Sequence, residues 1–463
     1  MKKTAKIVVL VLVILVVLLG VGVLALNHYV QSPEFKDYLL AKTQEQMAVP
    51  LQVESLHASI FSGFELRGLV VKNPQGSQTP TLLDSKALVF RYRLWPLLQK
   101  KVEIESIVVD SPSITLEKAD DGSWNYEKLT KEQPKQEKTG DKTPKAQSAP
   151  PPPSGLKFEI SNMKLANANF LVLKPQGKKL LAVTDLDVNS NVSGGAQAMG
   201  GKGELKIAKA TVIDSIEARE VRSPVVIEQQ QVRLPDLTAK IEDGSLKGNV
   251  VLDIKKEGYP YSVHADVADV DLGKLGARFS DKAKYLTGKL KATADVTGVG
   301  GDTNKLKGKG NARVDKGTLT GVPLLQTVGS LLNISEFQRI QFDEIVLEFT
   351  MDNGVIDTPV IKLMSKDIQL TGSGKTDFDF NLDHQFTLAL SPAIMAKVPK
   401  EALDVFGKRD DGFRTIDFKV TGPADNPKTD LTDKLVKGAA NKLIEKGLEQ
   451  FLGEKPKKKK KDQ

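Results

Sequence analysis

Strict alternation of apolar and polar side chains recurs along this 463-residue chain and limits what it can fold into. Successive side chains of a β-strand point to opposite faces, so each run predicts a strand with one apolar and one solvated face. Turn signals such as Asn73-Pro74-Gln75-Gly76 and Asp352-Asn353-Gly354 separate the runs. We therefore predict a mainly β chain with a long curved antiparallel sheet. The apolar members of the clearest runs are Leu88, Phe90, Tyr92 and Leu94; Ile345, Leu347, Phe349 and Met351; and Phe378, Phe380 and Leu382.

The N-terminus predicts a membrane anchor. Residues 7–26 are 20 consecutive residues without a charge, and a helix of that length is about 30 Å long, the thickness of a bilayer's hydrocarbon core. Lys2, Lys3 and Lys6 precede it, which keeps residues 1–6 in the cytoplasm and sends the body across. The alternative is a cleaved signal peptide, although this apolar run exceeds the usual length of one. The leader is of bacterial type, so we expect a single-pass inner-membrane protein with its body in the periplasm.

The net charge of +8 is concentrated at the two ends of the chain. The three N-terminal lysines and the lysine-rich residues 454–463 carry most of it, and the residues between them are nearly neutral. A body of that kind, with 6% aromatic residues, has no broad phosphate-binding face, so we expect no nucleic-acid partner. The absence of cysteine excludes disulfides, thiolate metal sites and cysteine nucleophiles.

The sequence contains partial matches to functional motifs, and each lacks a required residue. Gly374-Lys375-Thr376 ends like a phosphate-binding loop but lacks the earlier glycine, and Asp377–Asn381 begins like a calcium loop but has Leu382 at the required glycine. His384 beside Asp383 is interpreted as a surface pair. We therefore expect no enzyme, and predict no catalytic, metal or cofactor-binding residues.

A loose repeat of an aliphatic residue, Thr or Lys, and Gly recurs in the second half of the chain. Glycine in a strand permits bulges that bend a sheet, so we interpret the repeat as the basis of curvature. Single copies are also typical of ordinary hairpins. The seven copies end at Gly248, Gly288, Gly298, Gly308, Gly321, Gly372 and Gly422.

The remaining segments complete the domain organisation. Ser32-Pro33-Glu34 is a typical helix start, and the six prolines of residues 131–154 predict a disordered linker, with a proline-rich recognition motif as the alternative. Apolar residues at helical spacing predict an amphipathic C-terminal helix. The predicted segments are the cytoplasmic residues 1–6, a transmembrane helix 7–26, an N-terminal module 27–130, the linker 131–154, a repetitive β body 155–431, the amphipathic helix 432–453 and a disordered tail 454–463.

The lysine tail has two interpretations. It is a solvated extension of a packing helix, or it contacts anionic headgroups, to which each lysine near the surface contributes about 1 kcal/mol. The candidate membrane-surface residues are Lys457, Lys458, Lys459, Lys460 and Lys461.

The first 130 residues resemble the N-terminal module of the AsmA family, which is related to TamB-type proteins with repeating β-grooves. The resemblance implies an inner-membrane-anchored periplasmic protein whose sheet forms an open groove and moves phospholipids toward the outer membrane. It carries no catalytic residues over. The segments that carry it are Val53–Leu56, Gly63–Pro74, Leu82–Ser85, Arg93–Leu98, Val102–Pro112 and Asp121–Tyr126.

The apolar strand faces are the candidate lipid-binding surface, and the eleven apolar residues of the three alternating runs are its candidate lining. A 16-carbon chain laid on such a face gains up to about 13 kcal/mol at about 0.8 kcal/mol per methylene. The same alternation fits a closed sandwich whose two faces cover each other. We expect phospholipids, the inner membrane and further envelope proteins as partners. The alternative function is a scaffold for outer-membrane protein assembly that acts by strand addition at a sheet edge.

Overall fold

A computed structural model describes residues 24–96, 101–130, 157–194, 199–279, 285–300, 303–424 and 426–437. These residues form 22 strands and a few short helices, so the prediction of a mainly β chain is confirmed. They divide into two compact units. The first unit holds the described residues up to Ile241 and Asn249–Glu257, and the second holds Glu242–Gly248 and the described residues from Gly258 onward.

The first unit begins with helix. Residues 24–30 are helical, and α1 (Pro33–Gln46) follows. The Ser32 hydroxyl accepts the backbone N–H of Phe35 at 3.2 Å, with proline in the first turn, as the sequence predicted. No helix within the described ranges is both long and apolar enough to cross a bilayer. Of the predicted span 7–26, only residues 24–26 belong to those ranges.

Eleven strands follow α1 in the first unit, and β12 (Gly244–Asp253) contributes residues to both units. The eleven are β1 (Leu51–Gln52), β2 (Ser55–Ser59), β3 (Gly63–Lys72), β4 (Thr81–Arg93), β5 (Lys101–Asp110), β6 (Ser113–Glu117), β7 (Lys157–Leu173), β8 (Lys179–Gly194), β9 (Met199–Val212), β10 (Ile216–Glu228) and β11 (Gln231–Ile241).

The strand pairing of the first unit is mixed, so the prediction of a wholly antiparallel sheet was wrong. β5 and β6 are separated by Ser111 and Pro112, and both lie between β4 and β7. They run antiparallel to β4 and parallel to β7. A parallel return needs a connection of a dozen residues or more. The chain between Glu117 and Lys157 exceeds that length, whereas hairpins join the strands from β7 to β11.

The second unit is an antiparallel series in which β13 to β19 pair consecutively and β19 pairs with β21. Its strands are β13 (Pro260–Asp271), β14 (Lys289–Val299), β15 (Lys307–Thr320), β16 (Arg339–Asp352), β17 (Val355–Met364), β18 (Ile368–Asp377), β19 (Asn381–Leu390), β20 (Gly407–Lys408), β21 (Arg414–Pro423) and β22 (Lys428–Thr429). Its helices are α2 (Leu272–Phe279), α3 (Pro323–Leu332) and α4 (Pro392–Met395). Short 3-10 turns in the two units occupy Asn125–Lys128, Pro175–Gly177, Thr303–Lys305, Ser335–Gln338 and Lys400–Val405.

Helices cover part of the apolar strand face in the second unit. The side chains of α3 and of the 3-10 turn after it pack onto β16, β17 and β19, with Phe337 only 1% exposed. Leu431 and Leu435 of the helical residues 431–437 join the same cluster. The predicted C-terminal helix therefore begins as expected, and residues 438–453 and the lysine tail lie outside the described residues, as does the linker 131–154.

Two glycines of the second unit, Gly310 and the repeat glycine Gly372, make room for rings on neighbouring strands. A Cβ on Gly310 would lie 2.6 Å from the Phe349 ring, and one on Gly372 would lie 2.3 Å from the Phe386 ring. Pairing of each glycine with the strand that carries the ring is regular. On its other side Gly372 pairs with Ile361 of β17, next to the register shift between Thr358 and Ile361, so a strand irregularity accompanies this copy of the repeat. Glycine here lets a large side chain lie across the adjacent strand.

The predicted strand through residues 377–383 is interrupted by a turn. The Asp377 Oδ1 atom accepts the backbone N–H groups of Asp379 at 3.0 Å and Asn381 at 2.8 Å. Phe380 has φ +63° and its side chain is 55% exposed. The strand prediction for Phe378 and Phe380 was therefore wrong, because local side-chain hydrogen bonding of aspartate outweighs the alternation.

Two phenylalanines test where the core of the second unit lies. Phe337→Ala should destabilise this unit by about 3–5 kcal/mol, because it leaves a cavity in a closed cluster. Phe380→Ala, the matched control, should change stability by no more than about 0.5 kcal/mol. Native-state hydrogen exchange of the β18, β19 and β21 amides measures both. An equal loss of stability in the two variants would show that Phe337 does not lie in the core of this unit.

Side chains occupy the outer edge of β21. The Lys419 backbone N–H donates to Asp430 Oδ1 at 2.7 Å, and the Lys434 ammonium donates to the Asp417 carbonyl at 2.9 Å. Burial disfavours the Asp430 carboxylate, but the hydrogen bond from Lys419 and the ion pair with the Lys434 ammonium at 3.0 Å outweigh it and hold the pKa of Asp430 below its usual value. The edge is thus capped between the two short strands β20 and β22.

Asp430→Ala should promote self-association by freeing a strand edge, which light scattering after size exclusion measures. The exposed neighbour Asp433→Ala should leave the mass unchanged. The stabilisation from Asp430 is present above the ordinary pKa of aspartate and is lost as the pH falls through the lowered value. Unchanged mass for Asp430→Ala across a wide concentration range would contradict the capping role.

Candidate functional site

An apolar pocket of about 720 Å³ lies in the first unit between the helices and β1 to β4. Its volume falls within the range of small-molecule sites, about 300–1,000 Å³. None of the residues that line it is charged. The lining comprises Val30, Phe35, Leu39, Leu40, Thr43, Met47, Leu51, Val53, Leu56, Ala58, Ser59, Ile60, Gly63, Phe64, Leu66, Leu69, Val71, Phe90 and Tyr92.

The helix α1 forms one wall of the pocket. Phe35, Leu39 and Thr43 are four residues apart and therefore share one helix face. None of the 14 residues of α1 is buried. A helix that packed closely on the sheet would bury its apolar side chains, so α1 lies over the strands with a gap beneath it.

The strands β3 and β4 form the opposite wall. Phe64 lies opposite Phe90, with ring centroids 5.4 Å apart in a stacked arrangement. Gly63, at φ +110°, allows β3 to approach β4, because a Cβ there would lie 2.0 Å from the Phe90 carbonyl oxygen. The Tyr92 hydroxyl donates to the Ile60 carbonyl, so the polar end of this ring is already satisfied.

The apolar face of β3 and β4 continues across the first unit. In each adjacent strand an aliphatic residue lies in register with its neighbour, and all of these side chains are half-buried. The face therefore extends well beyond the pocket. One such row consists of Leu66, Leu88, Val109, Leu165, Val188 and Leu205.

Four sequence-predicted residues belong to the first unit. Phe90 and Tyr92 line the pocket, and Leu88 lies on the same strand face one register position further along. Leu94 follows the end of β4 and is exposed. The pattern thus identified two residues of β4 that line the pocket.

The other predicted residues belong to the second unit. Ile345, Leu347, Phe349 and Met351 share one face of β16, and Ile345 packs against the helix-covered core. Leu382, on β19, also contacts that core. Phe378 and Phe380 lie in the turn before it. Contact of any of these residues with lipid stays a prediction, and Lys457–Lys461 lie outside the described residues.

His384 is buried on the apolar face, so the interpretation as a surface histidine was wrong. Its side chain stacks on Phe386, and Nε2 is 2.9 Å from the Thr376 hydroxyl. The residue is 7% exposed, and within the described ranges Nδ1 has no hydrogen-bond partner. Burial lowers the pKa of His384, which keeps the imidazole neutral at pH 7. The exposed Asp383 points to the opposite face.

Polar clusters elsewhere are solvated or satisfied. His264 lies between Asp295 at 2.7 Å and Asp266 at 3.1 Å, and both raise its pKa. Glu117 is buried and accepts the backbone N–H groups of Gln78 and Thr79 at 2.7 and 2.8 Å. In the parts of the chain that the structure describes, no group of three acidic or histidine side chains is arranged to hold a metal ion.

The contribution of α1 to the pocket was missed at the level of sequence. Helical spacing of Phe35 and Leu39 is visible in the sequence, but it does not show which strand the helix lies over or how closely. The apolar residues at helical spacing directly after the predicted anchor were the available signal.

One family model matches most of the chain. It describes the AsmA family and matches residues 1–202 and 186–364 in two overlapping segments. No curated protein and no solved structure shows a significant match.

Filling the pocket should weaken the binding of a hydrocarbon probe. Ala58→Phe places a ring between α1 and β3, and displacing about two methylenes at about 0.8 kcal/mol each predicts roughly tenfold weaker binding. Titration of full-length protein with the fluorescent fatty acid cis-parinaric acid measures this change. His57→Phe, on the exposed face of β2, is the matched control. Equal affinities of the two variants would show that the pocket does not hold the probe.

Proposed function

The chain belongs to the AsmA family, and we propose that it is a membrane-anchored, non-enzymatic envelope protein that binds phospholipid acyl chains along its apolar strand faces. The observation that carries this proposal is the uncharged 720 Å³ pocket, which continues into a half-buried apolar strand face. Family membership and the β-rich fold are compatible with a role in lipid transport.

The chemistry of the pocket favours hydrocarbon as its occupant. Each methylene moved from water into an apolar site contributes about 0.8 kcal/mol, so ten methylenes contribute about 8 kcal/mol before the cost of ordering the chain. The pocket offers few polar groups, and the Tyr92 hydroxyl is already bonded to Ile60. We therefore propose that binding depends on acyl chains and discriminates weakly between headgroups.

The finer elements of the proposal concern place and direction. The uncharged residues 7–26 would anchor the chain in the inner membrane with its body in the periplasm. The apolar faces of the strands would then support phospholipid movement toward the outer membrane and the maintenance of that membrane, as the family resemblance suggests.

A scaffold that acts by strand addition is less well supported. Such a partner needs unpaired backbone groups along an edge strand. At β21 the backbone N–H of Lys419 is already hydrogen-bonded to the side chain of Asp430. The backbone carbonyl of Asp417 is likewise bonded to the side chain of Lys434. This edge therefore disfavours strand addition.

Site-specific photocrosslinking in cells separates the two functions. We expect benzoylphenylalanine at Phe90 or Leu347 to yield phospholipid adducts, because both positions lie on apolar strand faces. The adjacent positions Arg91 and Glu348, on the opposite and exposed faces, are matched controls. Mass spectrometry of the purified full-length protein identifies the adducts.

Two outcomes would contradict acyl-chain binding. Equal lipid yields at Phe90 and Arg91 would show nonspecific capture from the membrane. Protein adducts at Leu347 without any lipid would favour the scaffold function.

A further inference from the structure

Large apolar side chains are exposed together at one end of the first unit. Trp95 is 80% exposed, and Phe61 and Leu94, which belong to chain segments that meet at this end, are exposed as well. Contiguous exposed apolar surface on a protein usually marks a contact with another apolar surface. We call the set the aromatic patch, and it consists of Leu24, Leu26, Tyr29, Phe61, Leu94 and Trp95.

Hydrogen bonds hold the parts of the aromatic patch at the same end. The Asn27 side-chain oxygen accepts the Ser59 hydroxyl and the Ile60 backbone N–H, both at 3.1 Å. The Tyr92 backbone N–H donates to the Ser62 carbonyl at 3.2 Å. The helical residues 24–30, the β2–β3 turn and the end of β4 therefore meet there.

The aromatic patch borders the apolar pocket. Val30, Ile60 and Tyr92 line the pocket, and each lies within three residues of a member of the patch. The pocket extends from this end along β3 as far as Val71, about 26 Å at 3.3 Å per residue.

We propose that the aromatic patch lies in the interfacial region of the lipid bilayer and brings this end of the pocket to the membrane surface. The proposal rests on the membrane anchoring proposed above. The apolar run 7–26 ends immediately before Asn27, which is bonded to the β2–β3 turn. A span ending there leaves Phe61 and Trp95 little distance from the bilayer, and tryptophan and tyrosine favour the membrane–water interface.

Charges near the aromatic patch permit this contact. Glu65 is paired with Arg67 at 2.6 Å and with Arg91 at 3.5 Å, and Glu103 is paired with Lys101 at 2.6 Å. These carboxylates therefore do not repel anionic headgroups as isolated charges would. An acyl chain could pass from the leaflet to the pocket without full exposure to water.

Tryptophan fluorescence tests the proposal, because the chain has two tryptophans, Trp95 and Trp124. Full-length Trp124→Phe protein, reconstituted into vesicles of phosphatidylethanolamine and phosphatidylglycerol, reports on Trp95 alone. We expect its emission to shift to the blue and to be quenched by phosphatidylcholine brominated in its acyl chains. The control Trp95→Phe reports on Trp124, which should be quenched much less.

The variant Ala58→Phe, combined with Trp124→Phe, distinguishes the bilayer from lipid held in the pocket. Quenching of Trp95 that persists with the pocket filled supports contact with the bilayer. Quenching that disappears overturns the proposal, because the quencher was then lipid in the pocket. Unquenched Trp95 in a protein that still forms lipid adducts at Phe90 overturns the proposal and leaves the proposed function standing.

Discussion

The pairing of backbone groups between neighbouring strands is the interaction on which the rest of this structure depends. It satisfies the backbone of each sheet without a second layer, so nothing in the hydrogen bonding requires the apolar face to be covered. In the second unit α3 and residues 431–437 cover part of that face and form a closed core. In the first unit α1 lies over the face and none of its own residues is buried. The same strand chemistry thus produces a core in one place and a pocket in another.

Side-chain size, and not only polarity, shapes the apolar face of the second unit. Glycines at 310 and 372 allow the rings of Phe349 and Phe386 to lie across the neighbouring strands. His384 belongs to the same face and remains neutral because burial lowers its pKa. Where glycine on one strand lies opposite an aromatic ring on the next, the depth of the apolar face varies from residue to residue.

The features outside the pocket fit one arrangement. The aromatic patch and the pocket share one end of the first unit, and the predicted anchor enters the described chain at that end. The edge strand β21 is capped by Asp430 and Lys434. A protein that leaves an apolar strand face accessible also has to avoid pairing with its own copies, and a capped edge serves that need.

The sequence by itself determined the local elements of this protein. Alternation identified β4 and β16, Ser32 identified the start of α1, and the glycine-containing turns closed the hairpins, because each depends on residues a few positions apart. Only the tertiary structure decided the parallel pairing of β5 with β7, the position of α1 over β3, and the burial of His384. These depend on which distant segments meet and how closely they pack. Periodicity assigns a side chain to a face, but it does not specify what, if anything, covers that face.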